Sequence, residues 1–470
     1  MEPTHHSATT SLDYDTALHR LLSLVDYERM AGTGSPVPKY DLRRMEELAH
    51  RMDGPQRCAP VVHVAGTKGK GSVAAMVASI LKAAGLHTGL FTSPHLHTFT
   101  ERIRLDSTPI SPVAFATYLA EVWRHVGAME TESPFGKPST FEVLTAMAFE
   151  AFRHERVDVQ VLEVGLGGRL DATNLAHGRV AVITSLSLDH TAVLGDQLGQ
   201  IAAEKAGIVK RGATVVLSPQ EPEADAVVAE VCRKQAAGLW RLGKEVTWQA
   251  GSADMTGQEA TVRTPARTYR LWVPLLGAHQ RENAAAAVAA VEAMELGVGT
   301  EEVVRGIRDV EWPGRFQVLS SAPAVVADGA HNPQSMTRLR EALRDHFSPR
   351  KTVVVFGCSL DKDLDGMLAE LAPVANQAVV CASRHPRAVQ PRRLKERFEA
   401  TGVTAQVAPD VRSALTIARA EATDKGLVLI TGSLFIVAEA LEVWFDIPPE
   451  RYAELEPRNV AGPTVASQAG

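Results

Sequence analysis

The spacing of apolar residues along the chain alternates between a pattern typical of strands and one typical of helices. Val61–Ala65 is a short apolar run that ends in a glycine-rich turn, and the next segment has apolar residues at helical spacing: Val73, Met76, Val77, Ile80 and Leu81. Further apolar runs, with helical patterns among them, occur at 88–91, 157–162, 180–184, 325–327, 352–356, 378–381 and 427–430. This alternation predicts an α/β fold with mostly parallel, doubly wound sheets.

The same spacing indicates where one domain ends and another begins. Helical patterns occur at 13–25, 42–52, 141–152 and 283–294. Short β-like runs between residues 245 and 273 predict a small antiparallel sheet, and Trp312-Pro313-Gly314 is incompatible with a continuing helix. We therefore predict an N-terminal domain over residues 1–310 and a C-terminal Rossmann-like α/β domain over 311–450. Residues 451–470 are poor in large apolar side chains and are predicted to be a disordered tail.

The turn after the first strand has the residues expected of a phosphate-binding loop: Gly66, Thr67, Lys68, Gly69, Lys70, Gly71 and Ser72. Glycines let backbone N–H groups converge on an anion, the helix N-terminus adds partial positive charge, and Lys70 adds a full charge. The spacing departs from the common G-x-x-x-x-G-K-[ST] pattern, since Gly71 stands between Lys70 and Ser72. The strand–loop–helix context still favours a nucleotide triphosphate site over a plain glycine turn. The N-terminal domain is thus predicted to be a P-loop ATPase domain.

Polar residues follow three predicted strands of the same sheet. Ser93, Glu163 and His190 come after the runs at 88–91, 157–162 and 180–184. Each alone would more often be a cap or a solvated surface residue. The carboxyl ends of parallel strands, however, meet at one edge of a sheet, where ligands bind. Mg²⁺ prefers oxygen ligands completed by phosphate and water, and a histidine ligand is less usual for it. The shared location of the three residues nevertheless makes them a candidate magnesium site.

Composition narrows the class of protein. The chain has 470 residues, of which 45% are hydrophobic and 22% charged, with a formal net charge of −6. This balance argues against a general nucleic-acid-binding protein, which would present a basic face. The four cysteines form no C-x-x-C pair and fit a reducing compartment. Since we find neither a signal-peptide pattern nor an apolar run of about 20 residues, we expect a cytoplasmic protein with no membrane partner.

Three further segments have weaker signals. Asp328 and His331 follow a predicted strand and are candidates for ligand contact, while Asn332 is a candidate N-cap before Pro333. Lys205 lies at an alanine-flanked helix end, and its local sequence indicates an ordinary surface lysine. The Gly/Pro-rich loop 32–38 is either a substrate lid or a plain connector.

Nearly the whole chain, from about Asp13 to Trp444, resembles the folylpolyglutamate synthase and dihydrofolate synthase family, relatives of the muramyl ligases. The resemblance rests on motifs that occur in the family's order: 66–72, 92–96, 163–174, 188–191, 204–208, 277–280 with Asn283, 312–315, 328–333 and 431–434. It implies that the loop 66–72 binds the ATP phosphates. Three residues would contact the nucleotide from the hinge side, with His331 nearby: Asn283, Arg315 and Asp328. Three would bind Mg²⁺: Ser93, Glu163 and His190.

The resemblance also implies catalytic roles and a folate pocket. Lys205 would be the family's carbamylated lysine, near a second Mg²⁺, and would act in catalysis with Lys70 and His331. Two segments would line the folate pocket: Ser139, Thr140, Phe141 and Glu142, and Leu170, Asp171 and Ala172. Where many members have Asn, this chain has Lys68, which adds charge beside the triphosphate.

The reaction implied by the resemblance is ATP-dependent amide ligation. The γ-phosphate of ATP would be transferred to a carboxylate to make an acyl phosphate, which the amine of L-glutamate would then attack. The implied partners are ATP, L-glutamate and a reduced folate or dihydropteroate, acting on a monomeric protein. The residues leave open whether the chain extends folate tails, joins the first glutamate to dihydropteroate, or does both.

Two other functions remain as alternatives. One is another muramyl-type amide ligase that acts on a cell-wall nucleotide peptide, for which we find no added N-terminal domain to hold a uridine diphosphate sugar. The other is a nucleotide-binding regulator that hydrolyses ATP slowly. The regulator leaves Arg315 and the 328–331 segment without a role, and a folate- and glutamate-dependent ATPase activity would exclude it.

Overall fold

The computed structural model describes residues 12–26, 40–347 and 351–450. These residues form two compact units, the first ending at Pro313 and the second starting at Gly314. The loop 32–38, predicted as a lid or a connector, and the predicted tail 451–470 lie outside the described residues.

The first unit is built on an eight-stranded sheet. Its strands are β1 (Val61–Ala65), β2 (Thr88–Phe91), β3 (Ile103–Leu105), β4 (Thr108–Pro109), β5 (Val159–Glu163), β6 (Gly178–Ile183), β7 (Thr214–Leu217) and β8 (Gly238–Arg241). They lie in the order β4-β3-β2-β5-β1-β6-β7-β8, and all pairs from β2 to β8 are parallel. The hairpin β3–β4 adds two antiparallel strands at one edge. The predicted mostly parallel sheet is thus confirmed.

Helices cover both faces of this sheet. They are α1 (Tyr14–Leu22), α2 (Leu42–Arg51), α3 (Lys70–Ala83), α4 (Pro112–Glu132), α5 (Thr140–His154), α6 (Thr191–Leu194), α7 (Leu198–Ala206), α8 (Pro222–Lys234), α9 (Ala278–Ala293) and α10 (Thr300–Arg308). Along β6, Val180 and Val182 pack with α3, α9 and α10, whereas Ala181 and Ile183 pack with α7 and α8. Because successive side chains of a strand point to opposite faces, a strand buried on both sides reads as a continuous apolar run.

A separate three-stranded sheet follows within the first unit. It consists of β9 (Thr247–Ala253), β10 (Gln258–Arg263) and β11 (Thr268–Val273), all antiparallel. The small antiparallel sheet expected between residues 245 and 273 is therefore present.

The position of β1 explains where a ligand would bind. β1 lies between β5 and β6, with Val64 opposite Glu163 and Ala65 opposite Ile183. The chain leaves β1 on one side towards β2 and β5 and continues on the other side from β6. Such a reversal of strand order opens a crevice at the carboxyl edge of the sheet. The loop after β1 lies at this crevice.

The second unit contains a six-stranded sheet of Rossmann-like character. Its strands are β12 (Gln317–Ser321), β13 (Ala324–Ala327), β14 (Thr352–Phe356), β15 (Gln377–Val380), β16 (Thr404–Val407) and β17 (Leu427–Thr431), in the order β12-β13-β17-β14-β15-β16. Only β12 is antiparallel to its neighbour. The helices are α11 (Pro333–His346), α12 (Leu364–Leu371), α13 (Pro391–Ala400), α14 (Val411–Ala422) and α15 (Leu434–Phe445).

Within the three described ranges, no helix combines the length and the apolar character that a bilayer-spanning helix needs.

Candidate active site

The loop between β1 and α3 is a cradle that requires glycine. Gly66 and Gly69 have φ angles of +149° and +92°, in the region that side chains with a Cβ rarely adopt. A Cβ on Gly69 would lie 2.6 Å from Oδ1 of Asn283 in α9. α3 begins directly after Gly69, which has no side chain to cap the helix. The first N–H groups of α3 therefore point at the loop, as in phosphate sites.

Two lysines converge on the backbone of this loop. Nζ of Lys70 donates to the carbonyl oxygen of Gly66 at 3.2 Å, and Nζ of Lys205 donates to the same oxygen at 2.8 Å. Burial and the nearby charges of Lys70 and Lys68 lower the pKa of Lys205 to about 7. This arrangement concentrates positive charge where a triphosphate would lie, and it leaves the Lys205 amine partly neutral near neutral pH.

The interpretation of Lys205 as a surface lysine is wrong. Only 4% of the residue is exposed, although it lies in the last turn of α7. Ala202 and Ala206 pack into the core beneath the sheet and bring α7 close to it. The Lys205 side chain thereby reaches the phosphate loop.

Lys68 has a partner in the segment after β6. Nζ of Lys68 lies 3.1 Å from Oδ2 of Asp189. Thr67 binds the same segment, because its Oγ1 donates to the carbonyl oxygen of Ser187 at 3.3 Å and accepts from the Ser187 N–H at 3.2 Å. The phosphate loop and the segment that carries His190 are thus fixed to each other.

A buried amide network supports the other end of the loop. Nε2 of Gln280 lies 3.4 Å from Oγ of Ser72, and Oε1 of Gln280 accepts from Nδ2 of Asn283 at 2.9 Å. All three residues are buried. Asn283, predicted to contact the nucleotide, is therefore next to the loop, and Gln280 connects it to Ser72.

The structure brings two of the three predicted magnesium ligands together. Glu163 is the last residue of β5 and is 5% exposed, and its Oε2 accepts from the backbone N–H of Ser93 at 3.2 Å. His190 lies on the loop after β6 with half of its side chain exposed, and its Nε2 is 3.8 Å from Oδ1 of Asp189. Across residues 12–26, 40–347 and 351–450, no three His, Cys, Asp or Glu side chains are grouped as metal ligands. The shared role of Ser93, Glu163 and His190 stays a prediction.

The first predicted folate-binding segment also has a structural task. Ser139 caps α5, and its N–H donates to Oε2 of Glu142 at 2.7 Å in a capping box. Glu142 is 8% exposed and pairs with Arg44 of α2 at 3.1 Å. The N–H of Thr140 donates to the carbonyl oxygen of Val25 at 3.0 Å. These bonds join the start of α5 to α2 and to the segment after α1.

The second predicted folate-binding segment is held by its own carboxylate. Asp171 accepts from the N–H of Leu166 at 2.9 Å and from the N–H of Thr173 at 3.0 Å. Burial raises its pKa, and these hydrogen bonds offset part of that rise. A Cβ on Gly165 would lie 2.5 Å from Cζ of Phe141. Phe141 of the first segment thus packs on the loop that leads to the second, which contains Leu170, Asp171 and Ala172.

In the second unit the predicted residues lie just after β13 and just before β12. Asp328 accepts from the N–H of Phe316 and the N–H of Ala330, both at 2.8 Å. Burial raises the pKa of Asp328, and the charge of Arg315 opposes the rise. Nδ1 of His331 is 2.8 Å from the carbonyl oxygen of Gly329. The arrangement orients the imidazole of His331 and places Arg315, Asp328 and His331 at one edge of the sheet.

The N-cap predicted for Asn332 is confirmed, since its Oδ1 accepts from the Ser335 N–H at 2.9 Å.

Some residues of the site were not among the predicted ones. Asp189 and Gln280 both lie in motifs that the resemblance rests on, and both contact the phosphate loop or its neighbours. Trp312 also belongs to the site, because a Cβ on Gly71 would be 2.9 Å from its ring. Their motif membership was the available signal, but the sequence does not indicate which of these residues face the loop.

Comparison with known proteins adds independent findings. Residues 64–291 match the family described as Mur ligase middle domain, and residues 314–434 match the family described as Mur ligase, glutamate ligase domain. A "Dihydrofolate synthase/folylpolyglutamate synthase" of Mycobacterium tuberculosis is 36% identical over 468 residues, which cover 92% of this chain and 95% of the relative. A "Probable bifunctional folylpolyglutamate synthase/dihydropteroate synthase" of Halobacterium salinarum is 38% identical over 440 residues. That match covers 92% of this chain but 52% of the relative, so the chain spans about half of the haloarchaeal protein.

A solved structure is similar as well. Escherichia coli FolC in complex with DHPP and ADP superposes with a TM-score of 0.82 at 32% identity, covering 95% of this chain and 99% of that chain.

Proposed function

Since this chain belongs to the folylpolyglutamate synthase/dihydrofolate synthase family of Mur ligases, we propose that it joins L-glutamate to the γ-carboxyl group of a reduced folate at the expense of ATP. The observation that carries the proposal is the cradle after β1. There the N-terminus of α3, Lys70 and Lys205 converge beside Glu163, the last residue of the neighbouring strand β5. The E. coli relative in complex with DHPP and ADP supports the same two ligand classes for this chain.

The chemistry follows from the poor reactivity of a carboxylate. One of its oxygens would attack the γ-phosphorus of ATP, ADP would leave, and an acyl phosphate would form. The α-amine of L-glutamate would then attack the acyl carbon, and phosphate would leave with the oxygen that came from the acceptor. Lys70 and the N–H groups of α3 would stabilise negative charge on the phosphoryl group during transfer.

Mg²⁺ fits the residues present at the carboxyl edge of the first sheet. Ser93 and Glu163 offer a hydroxyl and a carboxylate oxygen, which are hard donors of the kind Mg²⁺ takes beside phosphate and water. When bound, the ion would neutralise charge on the phosphates. His190 would join them as the third ligand, and a carbamylated Lys205 would offer a further carboxylate.

The remaining predicted residues form two groups, one in the first unit that would bind the folate and one in the second unit that would contact the nucleotide and L-glutamate. Ser139–Glu142 and Leu170–Ala172 would line the folate pocket, since Phe141 of the first segment packs against Gly165, on the loop that leads to the second. Arg315 and Asp328 would contact the nucleotide, and His331 would act near L-glutamate. We propose that the protein works as a monomer.

A second activity is favoured by the names of the relatives. The M. tuberculosis relative is called both a dihydrofolate synthase and a folylpolyglutamate synthase. We therefore propose that this chain also adds the first glutamate to dihydropteroate in the same site, through an acyl phosphate formed on the carboxyl group of dihydropteroate itself.

The acyl phosphate is tested by following oxygen. Tetrahydrofolate labelled with oxygen-18 in its γ-carboxyl group is incubated with ATP, Mg²⁺ and L-glutamate, and the released phosphate is analysed by mass spectrometry. Transfer of one labelled oxygen to each phosphate is expected. Unlabelled phosphate together with glutamylated product would rule out this mechanism.

A further inference from the structure

A buried histidine lies in the middle of β1, the strand that carries the phosphate loop. His63 is 0% exposed, and its strand neighbours are Leu162 on β5 and Ala181 on β6. A polar side chain in such a place is costly unless it is hydrogen-bonded. Nε2 of His63 lies 2.9 Å from Oγ1 of Thr173, which belongs to the 3₁₀ turn Ala172–Leu175.

This contact continues to a carboxylate. Oγ1 of Thr173 lies 2.5 Å from Oδ1 of Asp171, and the N–H of Thr173 donates to the same oxygen. Both oxygens of Asp171 accept from backbone N–H groups, Oδ2 from Leu166 and Oδ1 from Thr173, so the carboxyl group acts as an acceptor and the single O–H of Thr173 donates to it. His63 must then donate to Thr173 through Nε2–H, which assigns the tautomer.

The surroundings of His63 agree with this direction. Burial lowers the pKa of His63 to about 3, so the ring is neutral at physiological pH. Nδ1 therefore has a lone pair and no proton, and among the described residues it has no hydrogen-bond partner. A buried lone pair is less costly than a buried N–H without an acceptor, which favours the same tautomer.

These hydrogen bonds link β1 to the loop that contains the second predicted folate-binding segment. Asp171 also accepts from the N–H of Leu166, so its carboxylate connects the two sides of the loop that presents Leu170, Asp171 and Ala172. The bond between His63 and Thr173 joins that loop to β1, whereas the bonds of Arg169 and Asn174 join it to Glu204 and Gly207 at the end of α7. β1 in turn ends at Gly66, where the nucleotide phosphates would bind.

We propose that His63 and Thr173 are positioning residues that hold Asp171, and with it the acceptor-binding segment, in register with the phosphate loop. The proposal rests on the proposed function, because it takes Leu170–Ala172 to line the folate pocket. The two residues touch neither substrate. They act through Asp171, and their loss would affect recognition of the folate heterocycle far more than binding of the nucleotide.

The test uses a pair of variants at Thr173 in the full chain. Thr173→Val keeps the shape of the side chain and removes its hydroxyl group, whereas Thr173→Ser keeps the hydroxyl group. We expect Thr173→Val to raise KM for tetrahydrofolate about tenfold, as for one lost bond to a charged group, with kcat and the Kd for ADP changed less than about threefold. Thr173→Ser should restore KM to within about twofold of wild type.

A second pair of variants, at His63, tests the proposal if circular dichroism shows that Thr173→Val does not fold. His63→Leu removes the Nε2–H donor, and His63→Gln places an amide N–H near the same position. The leucine variant should show the same rise in KM, and the glutamine variant should recover most of the loss.

Two results would overturn the proposal. One is an unchanged KM for tetrahydrofolate in a folded Thr173→Val or His63→Leu variant. The other is an equal weakening of tetrahydrofolate and ADP binding, which a merely structural role would give. A wild-type protein that fails to glutamylate tetrahydrofolate would instead overturn the proposed function, and the positioning role with it.

Discussion

At the scale of single residues, the site is organised by two ammonium groups that share one acceptor. Lys70 and Lys205 both donate to the carbonyl oxygen of Gly66. When both amines are protonated their charges repel each other, and burial adds to the free-energy cost of charging Lys205. A bound triphosphate would offset both the repulsion and the cost of burial, so the site without nucleotide favours binding of an anion.

Replacing Lys70 tests its role in phosphoryl transfer. Lys70→Ala should lower kcat for glutamate ligation by about 10³-fold, because a positioned cation on the transferring phosphoryl group is lost. Lys82→Ala, at an exposed position near the end of the same helix, is the control and should keep wild-type turnover. The melting temperature of both variants should stay close to that of wild type. Normal turnover in Lys70→Ala would remove this residue from the mechanism.

The lowered pKa of Lys205 predicts a pH-dependent contribution to stability. In the unfolded chain its pKa would be near the ordinary value of 10.5, against about 7 in the folded protein. Between these values the unfolded state binds more protons, so the free energy of unfolding rises with pH. The stabilisation is complete above about 10.5 and is lost as the pH falls to about 7.

The measurement compares wild type with Lys205→Met by urea unfolding at pH 7 and pH 9, in buffer free of carbon dioxide. The free energy of unfolding of wild type should rise by about 2 kcal/mol more than that of the variant. Parallel changes in the two proteins would mean that Lys205 titrates normally in the folded state.

These two lysines differ in how far the sequence could predict them. Lys70 was recognisable because its neighbours along the chain form the strand, the loop and the helix start that give it a role. The burial of Lys205 depends on how α7 packs on the sheet, which local sequence does not specify. Only the family resemblance drew attention to Lys205.

At the scale of elements, the phosphate loop depends on glycines for two separate reasons. Gly69 has a positive φ and also lies against Asn283 of α9, whereas Gly85, just after α3, has a φ of +79° in open surroundings. Substitution of Gly85 would therefore test backbone strain alone, whereas substitution of Gly69 would test backbone strain together with steric contact.

The corresponding variants make the separation measurable. Gly69→Ala should weaken ADP binding more than about tenfold, because the new Cβ displaces Asn283 or the loop. Gly85→Ala should cost about 1 kcal/mol of stability from its φ while the Kd for ADP stays at the wild-type value. A Cβ there would meet no atom of the described residues within 4 Å. ADP binding that survives Gly69→Ala would contradict the proposed nucleotide site.

Elements were predictable from sequence where their patterns are local. The β1–loop–α3 unit and the antiparallel strands β10 and β11 follow directly from apolar spacing. The edge strands β3 and β4 were not predicted, because a hairpin of three and two residues has too few alternating positions to stand out. The ion pair between Lys68 and Asp189 joins distant segments, so it depends on strand order and not on local pattern.

At the scale of the whole molecule, the two units divide the proposed chemistry. The first contains the phosphate loop, the candidate magnesium ligands and both folate-binding segments. The second presents Arg315, Asp328 and His331 at the carboxyl edge of its own sheet. The α/β class and the two kinds of sheet were predictable because apolar runs and helical patterns alternate over the whole chain. Acceptor identity depends on the shape of a pocket, which these patterns do not encode.

The most direct test of the central claim is the mass of the product. The full chain is incubated with ATP, Mg²⁺ and L-glutamate, with tetrahydrofolate in one reaction and dihydropteroate in another, while phosphate release is followed. We expect both acceptors to gain the mass of one glutamate residue, with one phosphate released per addition. ATP consumption without a mass gain on either acceptor would contradict the assignment of this site to folate glutamylation.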